Sequence, residues 1–304
     1  MNARLLAGLP RRVRVVEVGP RDGLQNEQGT ITAADKVAYV DLLSAAGFAT
    51  IEATSFVSPK TVPQLADAAE VMAGIARRPE TQYLVLTPNM KGYERAVAAG
   101  ARAVAVFTAA SETFARRNIN ASIAESLANF RAITEAARRD GVWVRGYISM
   151  AFGCPFEGAI APARVLDVAQ RLHELGCAEI SVGDTIGVAT PREVEAVLDL
   201  LLRHLSAGQI AVHFHDTRGT ALANVLLALQ MGISVVDAAS GGLGGCPFAP
   251  GAAGNLATED LLYLLHGLGI ETGVDLDKVV AASRVILGQL GRAPASKYLQ
   301  ACGQ

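Results

Sequence analysis

The stretch VRVVEVGPRDGLQNE, residues 13–27, separates two parallel-sheet folds. Its first six residues read as a strand covered on both faces, as the strands of parallel sheets are. An open dinucleotide-binding sheet would follow such a strand with G-x-G-x-x-G; here GPRDGLQNE follows instead. Working outward, further strand candidates occupy 49–54, 82–87, 103–108, 142–149, 179–183, 210–214 and 235–239, each followed by a helical pattern. Their starts lie roughly thirty residues apart, the rhythm of repeated βα units that force a parallel sheet. Eight such units close a ring. The expected fold is therefore α/β, a (βα)8 TIM barrel filling residues 1–304 as one domain. Residues 258–304 add C-terminal helices, expected to pack across one end or against a second subunit.

Helix ends agree with this division. Ser122 with Glu125, and Thr190 with Pro191 and Glu193, have the spacing of capping boxes. Gly47, Gly100, Gly141, Gly176 and Gly232 stand between a helical stretch and a strand, where a left-handed stop is needed.

Composition excludes several classes. The 304 residues are 51% hydrophobic and 18% charged, enough to bury a large core, and the net charge of −2 supplies no basic face for nucleic acid. No run of about 18 apolar residues free of charge suggests a membrane span. The N-terminus enters the first strand almost directly, so no secretory signal is expected. Four cysteines are too few for a disulfide scaffold, and a cytoplasmic location with reduced thiols is expected.

In a barrel of this kind, chemistry is built at the C-terminal ends of the strands and on the loops after them. His213-Phe214-His215-Asp216 ends the seventh strand. Side chains two apart on a strand share a face, so both imidazoles can look into the barrel mouth as ligands of a divalent metal. Two satisfied core histidines are the alternative. Arg21 and Asp22 follow strand 1, which neighbours strand 8 in a closed ring. Asp22 can complete a metal shell and Arg21 can hold a developing oxyanion, or the two can be a surface ion pair. Glu52, ending strand 2, is within reach of Arg21 and would orient it. Asp184, ending strand 6, would fix a histidine from behind. A structural salt bridge is the other reading of either carboxylate. The run GGLGGCP at 241–247 offers a backbone that approaches a ligand or moves as a lid, and it places Cys246 where a thiol can act. Cys177 reads as packing between a helix and a strand, and Cys302 as an inert surface thiol. Asn255 offers an amide oxygen, as ligand or as turn residue.

These motifs resemble one family. EVGPRDGLQNE at 17–27, SFVSPK at 55–60, GCPFEG at 153–158, SVGDTIG at 181–187, VHFHDT at 212–217 and GGLGGCPFAPGAAGNLATED at 241–260 together resemble 3-hydroxy-3-methylglutaryl-coenzyme A lyase, in order over essentially the whole chain. The resemblance implies a (βα)8 barrel with Mg2+ or Mn2+ on Asp22, His213, His215 and Asn255. It implies catalytic roles for Arg21, Glu52, Asp184, His213 and Cys246, and cleavage of the thioester to acetyl-CoA and acetoacetate in leucine breakdown and ketone-body formation. Candidate substrate contacts are Arg21, Gln25, Ser55, Tyr147 and Ser181. An acyl-CoA is the expected small-molecule partner, and the C-terminal helices make a homodimer the expected assembly.

Two positions depart from the family pattern. Gln28 stands where lysine is usual, and Thr61 where an aromatic residue often follows SFVSPK. Both fall on loops that shape the acyl pocket, so a longer-branched 3-hydroxyglutaryl-CoA is an alternative substrate. A condensing enzyme of the isopropylmalate or homocitrate synthase kind would typically carry a glutamate–arginine pair where this chain has Gly245 and Cys246. A catalytically silent barrel acting as a scaffold would have to keep the whole ligand set without using it.

Overall fold

The computed structural model describes residues 8–27, 29, 31–245 and 254–302. Eight parallel strands form the ring: β1 (Arg14–Glu17), β2 (Thr50–Ser55), β3 (Gln82–Leu86), β4 (Ala103–Ala109), β5 (Trp143–Ser149), β6 (Glu179–Asp184), β7 (Ile210–Phe214) and β8 (Val235–Ala238). They follow one another round the barrel in chain order, and β8 closes on β1 with Arg14 opposite Val235 and Val16 opposite Asp237. Every strand expected from the sequence is present, with ends shifted by a residue or so. A two-stranded hairpin, Gly153–Cys154 with Gly158–Ala159, decorates the loop after β5.

Local sequence explains the helix boundaries. Helix α5 (Ile123–Asp140) begins with the Glu125 amide donating to Ser122 Oγ at 3.1 Å and the Ser122 amide donating to Glu125 Oε2 at 2.7 Å. It ends on Gly141 at φ 66°, a left-handed stop that glycine makes without a side-chain clash. Helix α7 (Pro191–Leu202) starts on the Thr190–Glu193 box.

The C-terminal segment forms helices, as expected, and Ala295 within it donates its amide to Gly241 O at 3.1 Å, beside the loop after β8. Helix α9 (Thr258–Gly267) and helix α10 (Leu276–Leu290) complete the outer ring, with α10 packed against α1 (Ala33–Ala45) and against residues 240–242. The Asp275 amide donates to Ala46 O at 2.8 Å, which ties the start of α10 to the end of α1. These helices therefore cover the barrel's flank, because the sheet face beside β1 and β8 needs apolar cover there.

The barrel interior is divided. One wall is apolar, made by Leu84, Leu86, Ala103, Ala105 and Tyr147 with Phe107 and Trp143 against them. The opposite side is filled by charge: Arg14 pairs with Glu179, Arg145 Nε lies 2.9 Å from Glu179 Oε1, and Arg145 Nη2 lies 2.7 Å from Asp237 Oδ1. Arg145, Glu179 and Asp237 are buried on their strands and paired, because unpaired charge in such a site would be too costly.

Candidate active site

The chain leaves β1 through a single wide turn of π-helix, Gly19–Gly23, in which the amides of Arg21, Asp22 and Gly23 all converge on Val18 O. Such turns widen the backbone and re-aim side chains. Arg21 enters the barrel mouth, 7% exposed, where its Nε donates to Glu52 Oε2 at 2.8 Å and its Nη1 to Asp22 Oδ1 at 2.6 Å. Glu52 sits where β2 slips register against β3, between Glu52 and Thr54. A bulge at that point redirects the strand end toward the arginine.

His213 and His215 both point into the mouth, their ring centroids 5.3 Å apart. One ligand atom each from Asp22, His213 and His215 lies within 4.8 Å of the others, a group able to hold a metal ion. Asn255 joins them by backbone pairing: it bridges His215, and the Leu256 amide donates to Phe214 O at 2.9 Å. Its Nδ2 donates to Asp22 Oδ2 at 2.9 Å and to Leu243 O at 3.0 Å, while its buried Oδ1 has no hydrogen-bond partner among the described residues. Two imidazoles, a carboxylate and an unsatisfied amide oxygen are a donor set suited to a divalent metal ion.

Glycine lets the loops close on this group. A Cβ on Gly23 would lie 2.8 Å from Leu243 Cβ, and one on Gly244 would lie 2.6 Å from Asn255 Nδ2. The described part of the glycine-rich run thus packs against the ligand-bearing loops. The expected lid segment with Cys246 lies outside the described residues.

Burial raises the Asp22 carboxyl, but the charges of Arg21, His213 and His215 outweigh it and hold the group at about 2. The anionic form is the one that binds cations. Burial lifts Glu52 above the usual carboxylate range even beside Arg21. Burial works against charge on His213, yet its contact with Asp237 and the Asp22 charge leave the imidazole raised.

The HMGL-like sequence profile matches residues 12–286. The chain belongs to the HMGL-like family. A zebrafish (Danio rerio) relative named cytoplasmic 3-hydroxy-3-methylglutaryl-CoA lyase is 57% identical over 97% of this chain and 88% of its own. A hydroxymethylglutaryl-CoA lyase structure from Pseudomonas aeruginosa superposes with TM-score 0.95 at 52% identity, covering 97% of this chain and 98% of that one. An HMG-CoA lyase from Acinetobacter baumannii, solved with coenzyme A and 3-methylmalate, gives TM-score 0.92 at 40% identity over 100% of this chain and 97% of that one.

Within this family member, not every residue singled out from the sequence lies at the cavity. Arg21, Gln25 and Tyr147 line it, together with Asp22, His213 and His215. Ser55 does not: its hydroxyl donates to Leu86 O at 3.3 Å, inside the wall between β2 and β3. Ser181 is also turned away, donating to Asp237 Oδ2 at 2.9 Å. Asp184 meets the metal-binding strand through its backbone, its O accepting from the His215 amide at 3.3 Å. Its two carboxylate oxygens accept from the amides of Val188 and Ala189 at 3.0 and 2.9 Å, so the carboxylate shapes the turn before α7. The carboxylate beside His213 comes from β8: Asp237 Oδ2 lies 3.2 Å from His213 Nδ1. The signal for it was a lone acid ending SVVDA, at the same strand-end position that singled out the other site residues. Thr185, Asn118 and Phe114 also line the cavity and were not anticipated. Cys177 is buried and its thiol is pushed up to about 12 by that burial, whereas Cys302 is exposed.

Proposed function

We propose that this chain is a metal-dependent carbon–carbon lyase that cleaves 3-hydroxy-3-methylglutaryl-CoA to acetyl-CoA and acetoacetate. The observation that carries this reading is the convergence of Asp22, His213 and His215 beside a buried Arg21 at the barrel mouth, in a chain of this family. Asp22, His213, His215 and Asn255 would hold the ion, magnesium or manganese. When bound, such an ion lowers the pKa of a neighbouring hydroxyl by several units, which is the property a tertiary alcohol needs before retro-Claisen cleavage.

The chain's own residues do the rest. As the bond breaks, charge moves to the thioester oxygen; a fixed guanidinium stabilises that charge without having to reorganise. Arg21 is fixed because Glu52 and Asp22 occupy three of its five N–H donors, two facing Glu52 and one facing Asp22. Arg21 also lines the cavity. Gln25 and Tyr147 line the cavity as substrate contacts, and the apolar wall of Leu86 and Phe107 excludes water from the enolate. Cys246 is the candidate to return a proton to the departing acetyl-CoA enolate, since His213 would be committed to the ion and to Asp237. Asp184 acts through the turn it holds.

Thr61, on the cavity wall with Val57 and Val62, favours one second reading: a substrate with a longer branch at C3. A coupled acetyl-CoA release assay with magnesium or manganese tests both. Turnover of the methylglutaryl thioester supports the first reading; turnover confined to longer-branched thioesters replaces it with the second. No turnover of either rejects the lyase. We assign the chain one barrel domain, a homodimeric state and a cytoplasmic location; the zebrafish relative is named cytoplasmic, and the rat and human relatives are named mitochondrial. Among the described residues no helix is long and apolar enough to cross a membrane.

A further inference from the structure

The charged side of the barrel interior leads, pair by pair, from the N-terminal end of the ring to one of the metal-binding histidines. Arg14, the most exposed member, pairs with Glu179; Glu179 meets Arg145; Arg145 meets Asp237; Asp237 meets His213. Arg145 and Asp237 have 0% and 1% of their surface exposed. Strand register sets the last step, because Asp237 pairs with His213 across β8 and β7 and both side chains point inward.

We propose that Asp237, locked in place by Arg145, is a positioning residue that holds His213 in its Nδ1–H tautomer and so turns the Nε2 lone pair toward the ion. The proposal rests on Asp22, His213 and His215 being the ion's holders. The geometry is directional. Asp237 Oδ1 receives Arg145 Nη2 at 2.7 Å, and Oδ2 faces Ser181 Oγ at 2.9 Å and His213 Nδ1 at 3.2 Å. An ionised carboxylate only accepts, and the Ser181 hydroxyl spends its proton on Oδ2, so Nδ1 must be the protonated ring nitrogen. Nε2 then points to the side of Asp22, whose Oδ2 is 3.9 Å away. A buried ion pair merely filling the barrel would need none of this alignment with a ligand histidine.

Arg145 gives the arrangement a sharp consequence. Arginine has no acceptor, so in an Asp237→Asn variant the amide oxygen must stay toward Arg145. The amide NH2 is then forced onto His213 Nδ1, which has to accept, and the proton moves to Nε2. An asparagine in such a place leaves the geometry intact while selecting the wrong tautomer. Replacing Arg145 by methionine in the same chain lets the amide turn over, returning its oxygen to His213; Glu179 keeps Arg14 as its partner.

The test uses full-length protein labelled with 15N-histidine, metal-stripped and in alkaline buffer where the imidazole is neutral, followed by titration with Mn2+. The expected result is an Nδ1–H signature for His213 in the parent chain and Nε2–H in Asp237→Asn, with manganese affinity lowered about 10–100-fold. Ser181→Ala should stay near the parent, and Arg145→Met with Asp237→Asn should regain the Nδ1–H signature. An Nδ1–H signature or parent-like manganese affinity in Asp237→Asn overturns the proposal. If the parent chain itself fails to bind manganese, the metal reading falls, and the tautomer spectra still decide the role of Asp237. If the double variant does not fold, the Asp237→Asn spectrum decides alone.

Discussion

Glu52 grips Arg21 from the neighbouring strand: Oε2 accepts from Nε at 2.8 Å, and Nη2 lies 2.7 Å from the same oxygen. Both groups are buried, and Asp22 Oδ1 accepts from Nη1 at 2.6 Å as the second anchor of the arginine. Arg21→Met should therefore leave substrate binding largely intact while lowering kcat about 10²–10³-fold, the loss of roughly 3–4 kcal/mol typical of a removed oxyanion donor. Steady-state kinetics that separate kcat from KM check this. A near-normal kcat would remove Arg21 from the enolate step.

His215 is one of three side chains whose ligand atoms converge within 4.8 Å. His215→Ala should lose most bound manganese or magnesium, measured by elemental analysis of purified protein. Full occupancy in that variant would exclude His215 from the ligand set.

Cys246, read from the sequence as the thiol on the loop after β8, gives the opposite pattern. Cys246→Ala should lower turnover by orders of magnitude with metal content at the parent level. Unchanged turnover would reject a catalytic thiol.

Two buried carboxylates away from the cavity tie the loop roots together. Glu17 accepts from the amides of Gly19 and Ser240 and the hydroxyl of Thr258, and Glu259 accepts from the Gly241 amide and from Ser283. Burial outweighs these hydrogen bonds and pushes Glu17 up to about 8 and Glu259 to about 7, from an ordinary 4.5. The folded state thus holds protons that the unfolded chain releases above about 4.5, so stability is greatest at the acid end and falls as pH rises toward 8. His213, also raised on folding, acts in the same direction. Urea midpoints taken across this window should decline with rising pH. A rising midpoint would show that the carboxylates ionise more readily than their burial implies.

A steric prediction concerns Gly244, at φ 107° with its Cβ position 2.6 Å from Asn255 Nδ2. Gly244→Ala should displace Asn255 and lower metal affinity, read by manganese titration, while a cooperative thermal transition persists. Parent-like affinity would show that the loop absorbs the methyl group.

Much of this is legible in the sequence. Eight strands, their order, the two capping boxes and the shared face of His213 and His215 depend on periods of two and 3.6 residues and on side chains bonding their own backbone, all local in the chain. The pairing of Arg21 with Glu52 followed from adjacency of strand ends. Ser55, Ser181 and Asp184 were also legible as strand-end polar residues, but not the direction of their hydrogen bonds. Each is satisfied by a near neighbour, and which acceptor a hydroxyl finds is set by packing.

The sequence by itself determined a barrel and a metal-binding strand end, because backbone sterics and side-chain alternation act over a few residues. Tertiary structure alone decided that Asn255 bridges His215, that Asp237 rather than Asp184 stands behind His213, and that the barrel interior is half charge. Those relationships join residues from 24 to 165 positions apart. They exist only once the ring closes and register brings particular side chains to one level, where a buried polar group must pair with whatever stands beside it.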